Sequence, residues 1–249
     1  QNLEDNSVSW IYIDPARRDE NRRSVDLEYC SPNVYTNMEL FLQKSQNIMI
    51  KVAPAFDIKE AIRRFDILKE IHVLSVDGEC KEVLLILDKN IVNKIPKIFS
   101  VSLYSKNDNP FILTSLFREN HLKETSPVKR YFYEPDCALI KSNLTDIIGA
   151  KHNLLFINKL TPFLTSDEFH STFPGRSFEV ITTIQFNEKK IMNYLKENKI
   201  IRANINRRDF RLSVDDIRKK LKLKDGGDVY LFFTSDFNRR SIMVVCKKA

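Results

Sequence analysis

Long apolar runs are missing from this 249-residue chain. None approaches the roughly 18–20 residues needed to cross a bilayer, and no charged-then-apolar leader with a cleavage site is visible, so a soluble, cytoplasmic protein with no membrane partner is expected. Cysteine is also scarce. The four present, Cys30, Cys80, Cys137 and Cys246, form no C-x-x-C pair and join no histidine cluster at metal spacing. They indicate neither a zinc site nor a disulfide framework, and buried free thiols are the ordinary reading. Internal repeats and low-complexity tracts are absent too.

What is present is an uneven charge. Forty Lys and Arg against 33 Asp and Glu give a net +7. Residues 175–249 hold 10 Lys and 8 Arg against 9 acidic residues, a net +9, which leaves the rest of the chain at −2. Cations gathered on one module draw polyanions through counterion release. A solvated, merely basic face is the competing explanation.

Apolar periodicity divides the chain. From residue 7 to residue 88 strands alternate with helical stretches, which predicts a parallel α/β sheet. The spacing gives a strand at 8–13, a helix at 34–44, a strand at 47–53 and a helix at 58–68 capped by Asp57. Strands at 70–76 and 81–87 flank Asp77-Gly78, a strong hairpin signal, so these two are antiparallel. Residues 98–105 and 111–117 predict a second hairpin around the turn-rich stretch 106–110. A connector at 118–129 and a short helix at 138–148 follow. The last part reads β-α-β-α-β-β: strand 178–186, helix 188–198, strand 200–206, a helix opened by Ser213 with Asp216 in its first turn, then strands 229–234 and 242–246. Asp225-Gly226-Gly227 is expected to end the second helix.

The sharpest motif is a buried strand that empties into Asp14-Pro15-Ala16-Arg17. Open parallel sheets bind ligands at the carboxyl ends of their strands, so a carboxylate there, followed by a rigid proline, is placed to face a substrate. Lys51 interrupts the apolar strand 47–53, and such a lysine either snorkels to the edge or meets a carboxylate in the crevice. Asp14, Pro15, Arg17 and Lys51 are the candidate catalytic set. The structural alternatives have Asp14 capping a helix and Arg17 pairing with Asp19 or Asp26. His72, Glu79 and Glu82 read as structural.

The strand ending in D-P-A-R resembles the fourth-strand active-site motif of class I S-adenosylmethionine-dependent methyltransferases. Together with Arg18-Asp19, Leu27-Glu28-Tyr29-Cys30-Ser31-Pro32-Asn33, Val76-Asp77-Gly78-Glu79-Cys80-Lys81-Glu82, Tyr133-Glu134-Pro135, Phe173-Pro174-Gly175-Arg176 and Leu221-Lys222-Leu223-Lys224-Asp225-Gly226-Gly227-Asp228, it resembles one bacterial family of these enzymes, with a ferredoxin-like insert and a C-terminal THUMP-like domain. The resemblance implies the C-terminal half of a Rossmann-like methyltransferase sheet, strands four to seven, followed by small α+β modules. The boundaries would be 1–90, 91–174 and 175–249. It implies S-adenosylmethionine as cofactor and RNA as partner. The family's glycine-rich cofactor loop and ribose-binding acid are not in this sequence and the first residue is not Met, so the chain is expected to be the back part of a larger enzyme and catalytically silent alone.

Departures from related motifs narrow the chemistry. Relatives with D-P-P-Y clamp a base on the aromatic, and Arg17 stands in that place here. D-P-A-R is closer to the RNA uracil-5 methyltransferases, whose nucleophilic cysteine after the fifth strand is replaced here by Lys51-Val52-Ala53-Pro54-Ala55. Cys30 is a remote substitute. In the basic module the RNA-binding candidates are Arg202, Arg207, Arg208, Arg211, Lys219, Lys220, Lys222, Arg239 and Arg240, and phosphate contact by them would position RNA without reading it. The competing readings are a non-catalytic RNA-binding or assembly protein with a vestigial methyltransferase fold, and DNA as substrate.

Overall fold

The computed structural model describes residues 4–17, 27–92, 95–118 and 123–249. The chain forms two compact units, one from residues 1–119 and 136–144, the other from 120–135 and 145–249.

The first unit contains β1 (Ile11–Ile13), β2 (Ala16–Arg17), β3 (Cys30–Ser31), α1 (Met38–Lys44), β4 (Asn47–Val52), α2 (Ile58–Arg64), β5 (Leu68–Val76), β6 (Glu79–Asp88), β7 (Lys97–Tyr104), β8 (Asn107–Leu116) and α3 (Cys137–Lys141). Its main sheet has the order β1-β4-β6-β5-β7-β8. Parallel pairing joins β1 to β4 and β5 to β7, while β6 is antiparallel to both β4 and β5 and β8 is antiparallel to β7. Four strands thus run one way, and β6 and β8 run the other. The hairpin expected at Asp77-Gly78 is there, with φ of 50° and 80°, the paired left-handed geometry of a tight two-residue turn. It folds β6 back between β4 and β5 rather than onto the outer edge. In β4, Ile48, Ile50 and Val52 are buried while Asn47, Met49 and Lys51 are half-exposed, so one face carries the core.

Several boundaries differ for local reasons. α1 starts at Met38 and not at residue 34, because Asn33 takes the Thr36 amide on its side-chain oxygen at 3.0 Å and the Asn37 amide side chain on its carbonyl at 2.7 Å, holding a turn instead. α2 begins where expected, with the Asp57 carboxylate accepting from the Lys59 amide at 3.0 Å, but it yields at Phe65 to β5. The second hairpin turns at Ser105-Lys106, so Pro110 lies in β8. That strand is at the sheet edge, where a missing N–H disturbs no ladder. The hairpin adds to β5 and satisfies that strand's backbone groups. In consequence the segment 91–174, expected to stand between two modules, is divided between the two units.

The second unit contains β9 (Tyr131–Pro135), α4 (Thr145–Lys151), β10 (Leu155–Phe156), β11 (Leu164–Ser166), β12 (Gly175–Gln185), α5 (Glu188–Glu197), β13 (Asn204–Arg207), α6 (Val214–Leu221), β14 (Val229–Ser235) and β15 (Ser241–Lys248), in one sheet of order β10-β11-β9-β12-β15-β14-β13. Residue alternation splits its core in two. Ile191, Leu195, Ile217 and Leu221 of the helices pack on Leu231, Phe233, Met243 and Val245. The opposite face carries an aromatic cluster of Phe132, Phe163, Phe178 and Phe232 with Val244 and Cys246. Each such side chain contributes about 1.5–3 kcal/mol when buried.

α6 starts with the expected capping box, Ser213 and Asp216 bonding each other's backbone amides, and the Ser213 contacts hold the Asp216 carboxyl below its usual range. It ends earlier than expected, at Lys222 with φ of 54°, ahead of the glycine pair. Gly226 and Gly227 adopt φ of 89° and 88°, which a side chain would strain, and they turn the chain beneath Arg202.

Candidate functional site

In the first unit β1 and β4 lie side by side and parallel, with Ile13 opposite Ile50. The next residue of each strand carries a charge at the same end of the sheet. Lys51 Nζ is 2.6 Å from Asp14 Oδ2, and the side chains are 33% and 50% exposed, so the pair is open to solvent. The Asp14 bond pushes the Lys51 ammonium above its ordinary range, with Tyr12 and Glu82 adding to the effect. Lys51 therefore stays protonated at neutral pH and acts as a donor, not a base. The element following Asp14 is β2, not a helix, so it has no helix to cap.

Pro15 links β1 to the short β2–β3 ribbon, in which the Arg17 backbone pairs with Cys30. The Arg17 side chain, Arg18, Asp19 and Asp26 lie outside the described residues, and with them the proposed Arg17 ion pairs. Cys30 is buried at 6% exposure.

Other groups gather at this end of the parallel strands. The Asp77 carboxylate accepts from the Ser105 amide at 2.9 Å and from its hydroxyl, which holds the carboxyl below its usual range. Ser75 donates to the buried Asp136 at 2.5 Å, and Asp136 also caps α3 through the Ala138 amide at 2.9 Å. Bonding to Cys80, with burial and the nearby Asp136 adding, pushes the Cys137 thiol up and keeps it protonated. His72 bonds Glu70 at 2.8 Å and stacks on Phe99 at 4.2 Å, a structural role. Asp136 was missed by sequence reasoning. Its signal, an acid directly before a short helix after Pro135, is a capping signature.

In the second unit the nine basic candidates separate. β12, β13 and β14 end, and β15 begins, at one end of the sheet, since Gln185 pairs with Ile242, Ser235 with Ser241 and Arg207 with Phe233. Arg207, Arg208, Arg211, Arg239 and Arg240 lie there. Arg202, Lys219, Lys220 and Lys222 lie toward the opposite end, across the eight residues and about 12 Å of α6.

Most of the nine are already engaged. Arg202 donates to the Asp225 carbonyl at 3.1 Å, Arg207 to the Phe210 carbonyl at 2.9 Å, and Lys220 pairs with Glu188 at 2.7 Å. Arg208 sits over Phe163 and Arg211 over Phe186, both at 5.9 Å. Arg240 reaches Asp236 at 2.8 Å. The side chains of Lys219, Lys222 and Arg239 make no hydrogen bond, ion pair or ring contact with another described residue, and those of Arg208 and Arg211 make ring contacts alone.

A buried acid that the motif analysis left without a role organises this unit. Glu134 of β9 is 9% exposed at its side chain and accepts from Arg176 Nε at 2.7 Å and from Asn206 Nδ2 at 2.6 Å. Three strands separate β9 from β13, which would place them about 19 Å apart in a flat sheet. The sheet is therefore strongly curled, with Glu134 tying its two limbs together.

Among the described residues no helix is long and apolar enough to cross a membrane, and no group of His, Cys, Asp and Glu could hold a metal ion.

Residues 175–248 match the family model described as THUMP domain-like. The C-terminal module is a THUMP-like domain. The chain is similar over 217 residues to two uncharacterized S-adenosylmethionine-dependent methyltransferases from two strains of Mycobacterium tuberculosis, each 24% identical, with 86% of this chain and 56% of the relative covered. It also resembles the crystal structure of a candidate methyltransferase from Porphyromonas gingivalis, with a TM-score of 0.82 and 27% identity over 97% of this chain and 60% of that one. The chain thus spans a little over half the length of the relatives it matches. Its first unit has the sheet of a methyltransferase fold and its THUMP-like domain begins at β12, within the second unit.

Proposed function

We propose that this chain is part of a methyltransferase that moves a methyl group from S-adenosylmethionine to RNA. The observation that carries the reading is the Asp14–Lys51 pair at the carboxyl ends of two adjacent parallel strands, in a chain that also holds a basic THUMP-like domain. S-adenosylmethionine, when bound, supplies an electrophilic methyl. The five glycines of this sequence, at 78, 149, 175, 226 and 227, lie away from the ends of β1 and β4, so this chain's own part is argued from its polar residues. The chain's contribution is to the acceptor. Asp14 accepts a hydrogen bond from the acceptor's N–H or O–H and fixes its direction. Lys51, kept protonated, holds the Asp14 carboxylate in place and contacts anionic or polar parts of the substrate, as does Arg17. Displacement at a methyl group depends on alignment more than on acid or base strength, so a short polar set suffices.

The THUMP-like domain is assigned the RNA backbone. A non-catalytic RNA-binding role is the second reading, since the THUMP-like module is basic on its own, with a net +9 over residues 175–249. Transfer of radiolabelled methyl to RNA and to DNA, by the protein at the length of its relatives, tests both readings. Labelling of RNA supports the proposal, labelling of DNA alone changes the substrate, and RNA binding without labelling supports the non-catalytic role.

A further inference from the structure

A cavity of about 260 Å³ lies in the second unit, at the end of the sheet where the five arginines gather. Pro127, Val128 and Ile242 form its apolar part, and Thr183, Gln185, Phe237, Asp236 and Arg240 complete it. Its position follows from the strand register. Gln185 is the last residue of β12 and pairs with Ile242, and Thr183 points to the same face two residues earlier. The turn between β14 and β15 supplies the rest. That turn is stiff, because Asp236 accepts the Asn238 and Arg240 amides, each at 2.9 Å, on one oxygen and the Arg240 guanidinium on the other.

Three features of the lining are unused by the fold. Phe237 is 40% exposed, although an aromatic ring of that size is ordinarily covered. The Gln185 amide and the Thr183 hydroxyl make no hydrogen bond to another described residue, so a donor and acceptor set stands ready beside that ring. Arg240 spends Nε and one terminal nitrogen on Asp236 and keeps the other. Beside Arg240 in the same turn, the Arg239 side chain makes no hydrogen bond or ion pair with another described residue, whereas Arg211, over Phe186, belongs to the opposite face of the sheet.

Resting on the RNA reading above, we propose that this cavity takes one unstacked base of a single-stranded RNA segment, whose flanking phosphates lie on Arg239 and on the remaining terminal nitrogen of Arg240. An aromatic face, an amide and hydroxyl for the base edge, and guanidinium groups for the backbone are the chemistry by which proteins recognise splayed-out nucleotides. The volume falls just below the roughly 300–1,000 Å³ of drug-sized sites, so it admits one base and not two. A base stacked inside a duplex cannot enter a concave site, and the site therefore selects single strands. It gives the THUMP-like domain a means of fixing register that phosphate contacts alone lack.

Fluorescence anisotropy with the 249-residue chain tests this, using labelled oligouridine, oligoadenosine and an RNA duplex of the same length. The single strands should bind about tenfold or more tightly than the duplex. Phe237→Ala should weaken single-strand binding about tenfold, the scale of one lost base stack, and leave duplex binding within about twofold. Gln185→Ala should change the ratio between the two oligomers. Circular dichroism melting checks that both variants remain folded, and a 4-thiouridine oligomer should crosslink within 183–185 or 236–240 in the parent chain. If RNA binds but is indifferent to both substitutions and crosslinks elsewhere, the cavity assignment falls while the RNA reading stands. If uridine or adenosine monophosphate binds as tightly as the oligomers, the site belongs to a free nucleotide and the proposal is overturned. Failure of every RNA to bind at low salt removes the RNA reading, and the cavity assignment with it.

Discussion

The first unit places one ion pair at the ends of two parallel strands, whereas the second unit spreads nine cations over a curled sheet and ties most of them to carbonyls, carboxylates or rings. Asp14, just past β1, and Lys51 of β4 bond each other directly where solvent reaches both, so their importance rests on position. In the THUMP-like domain importance rests on availability: Arg207 and Arg240 are held by Phe210 and Asp236, while Lys219, Lys222 and Arg239 are not. Held arginines lose less freedom when a phosphate arrives, and unheld lysines offer more charge at a larger entropic cost. A count of charges therefore locates a polyanion surface but does not rank its members.

The sharpest break of this comparison is Asp14→Ala. In the protein at the length of its relatives it should abolish methyl transfer to RNA, while the melting temperature of the chain moves by no more than about 3 °C, as for a half-exposed residue outside the core. Normal turnover would remove Asp14 from the site, and a collapsed transition would make it structural.

Glu134→Ala comes next and asks whether the second unit depends on a single buried acid in the way the first depends on a single exposed one. It leaves Arg176 and Asn206 without their shared acceptor and should cost about 2–4 kcal/mol in urea unfolding. A loss under about 0.5 kcal/mol would mean that the curl of the sheet is set by the aromatic cluster alone.

A smaller effect separates held from unheld cations. Reversing Lys219, Lys222 and Arg239 to Glu should weaken RNA binding similarly for all sequences and lower the salt slope by about 0.7 per lost single-strand contact, with melting unchanged. Arg207→Glu and Arg208→Glu are poorer probes, because their side chains also serve the Phe210 loop and the Phe163 ring. An unchanged slope would leave these three as a solvated face.

The features read correctly from sequence were those governed by neighbours in the chain. Asp77-Gly78 announced its turn, Asp57 and Ser213 their helix starts, and a lysine inside an apolar strand announced a carboxylate partner. What escaped were pairings between distant segments. Nothing local in residues 79–88 says that β6 inserts between β4 and β5, or that β7 adds to the edge of β5 and carries its hairpin into the first sheet. The carbonyls that hold Arg202 and Arg207 become visible only once the loops are closed. The cavity beside Gln185 escaped for the same reason, since it draws on residues 127–128, 183–185 and 236–242.

The mildest prediction concerns acid, and it turns on His152. His152 lies edge-on to His170 at 5.5 Å and to Phe173 at 6.0 Å. Burial, with His170 and Lys151 adding, lowers its pKa below the ordinary 6.5. A histidine that resists protonation only when folded binds fewer protons in the native state than in the unfolded one. It costs nothing above the unfolded pKa, and it subtracts stability as pH falls below about 6.5, until the native group also protonates. The melting temperature of the chain should therefore drop between pH 7 and pH 5, and His152→Gln should flatten that drop while leaving the carboxylate-driven loss at lower pH intact. Equal slopes in the parent and the variant would show that His152 does not sense pH in this range, and that the acid sensitivity of the second unit comes from carboxylates such as Asp216.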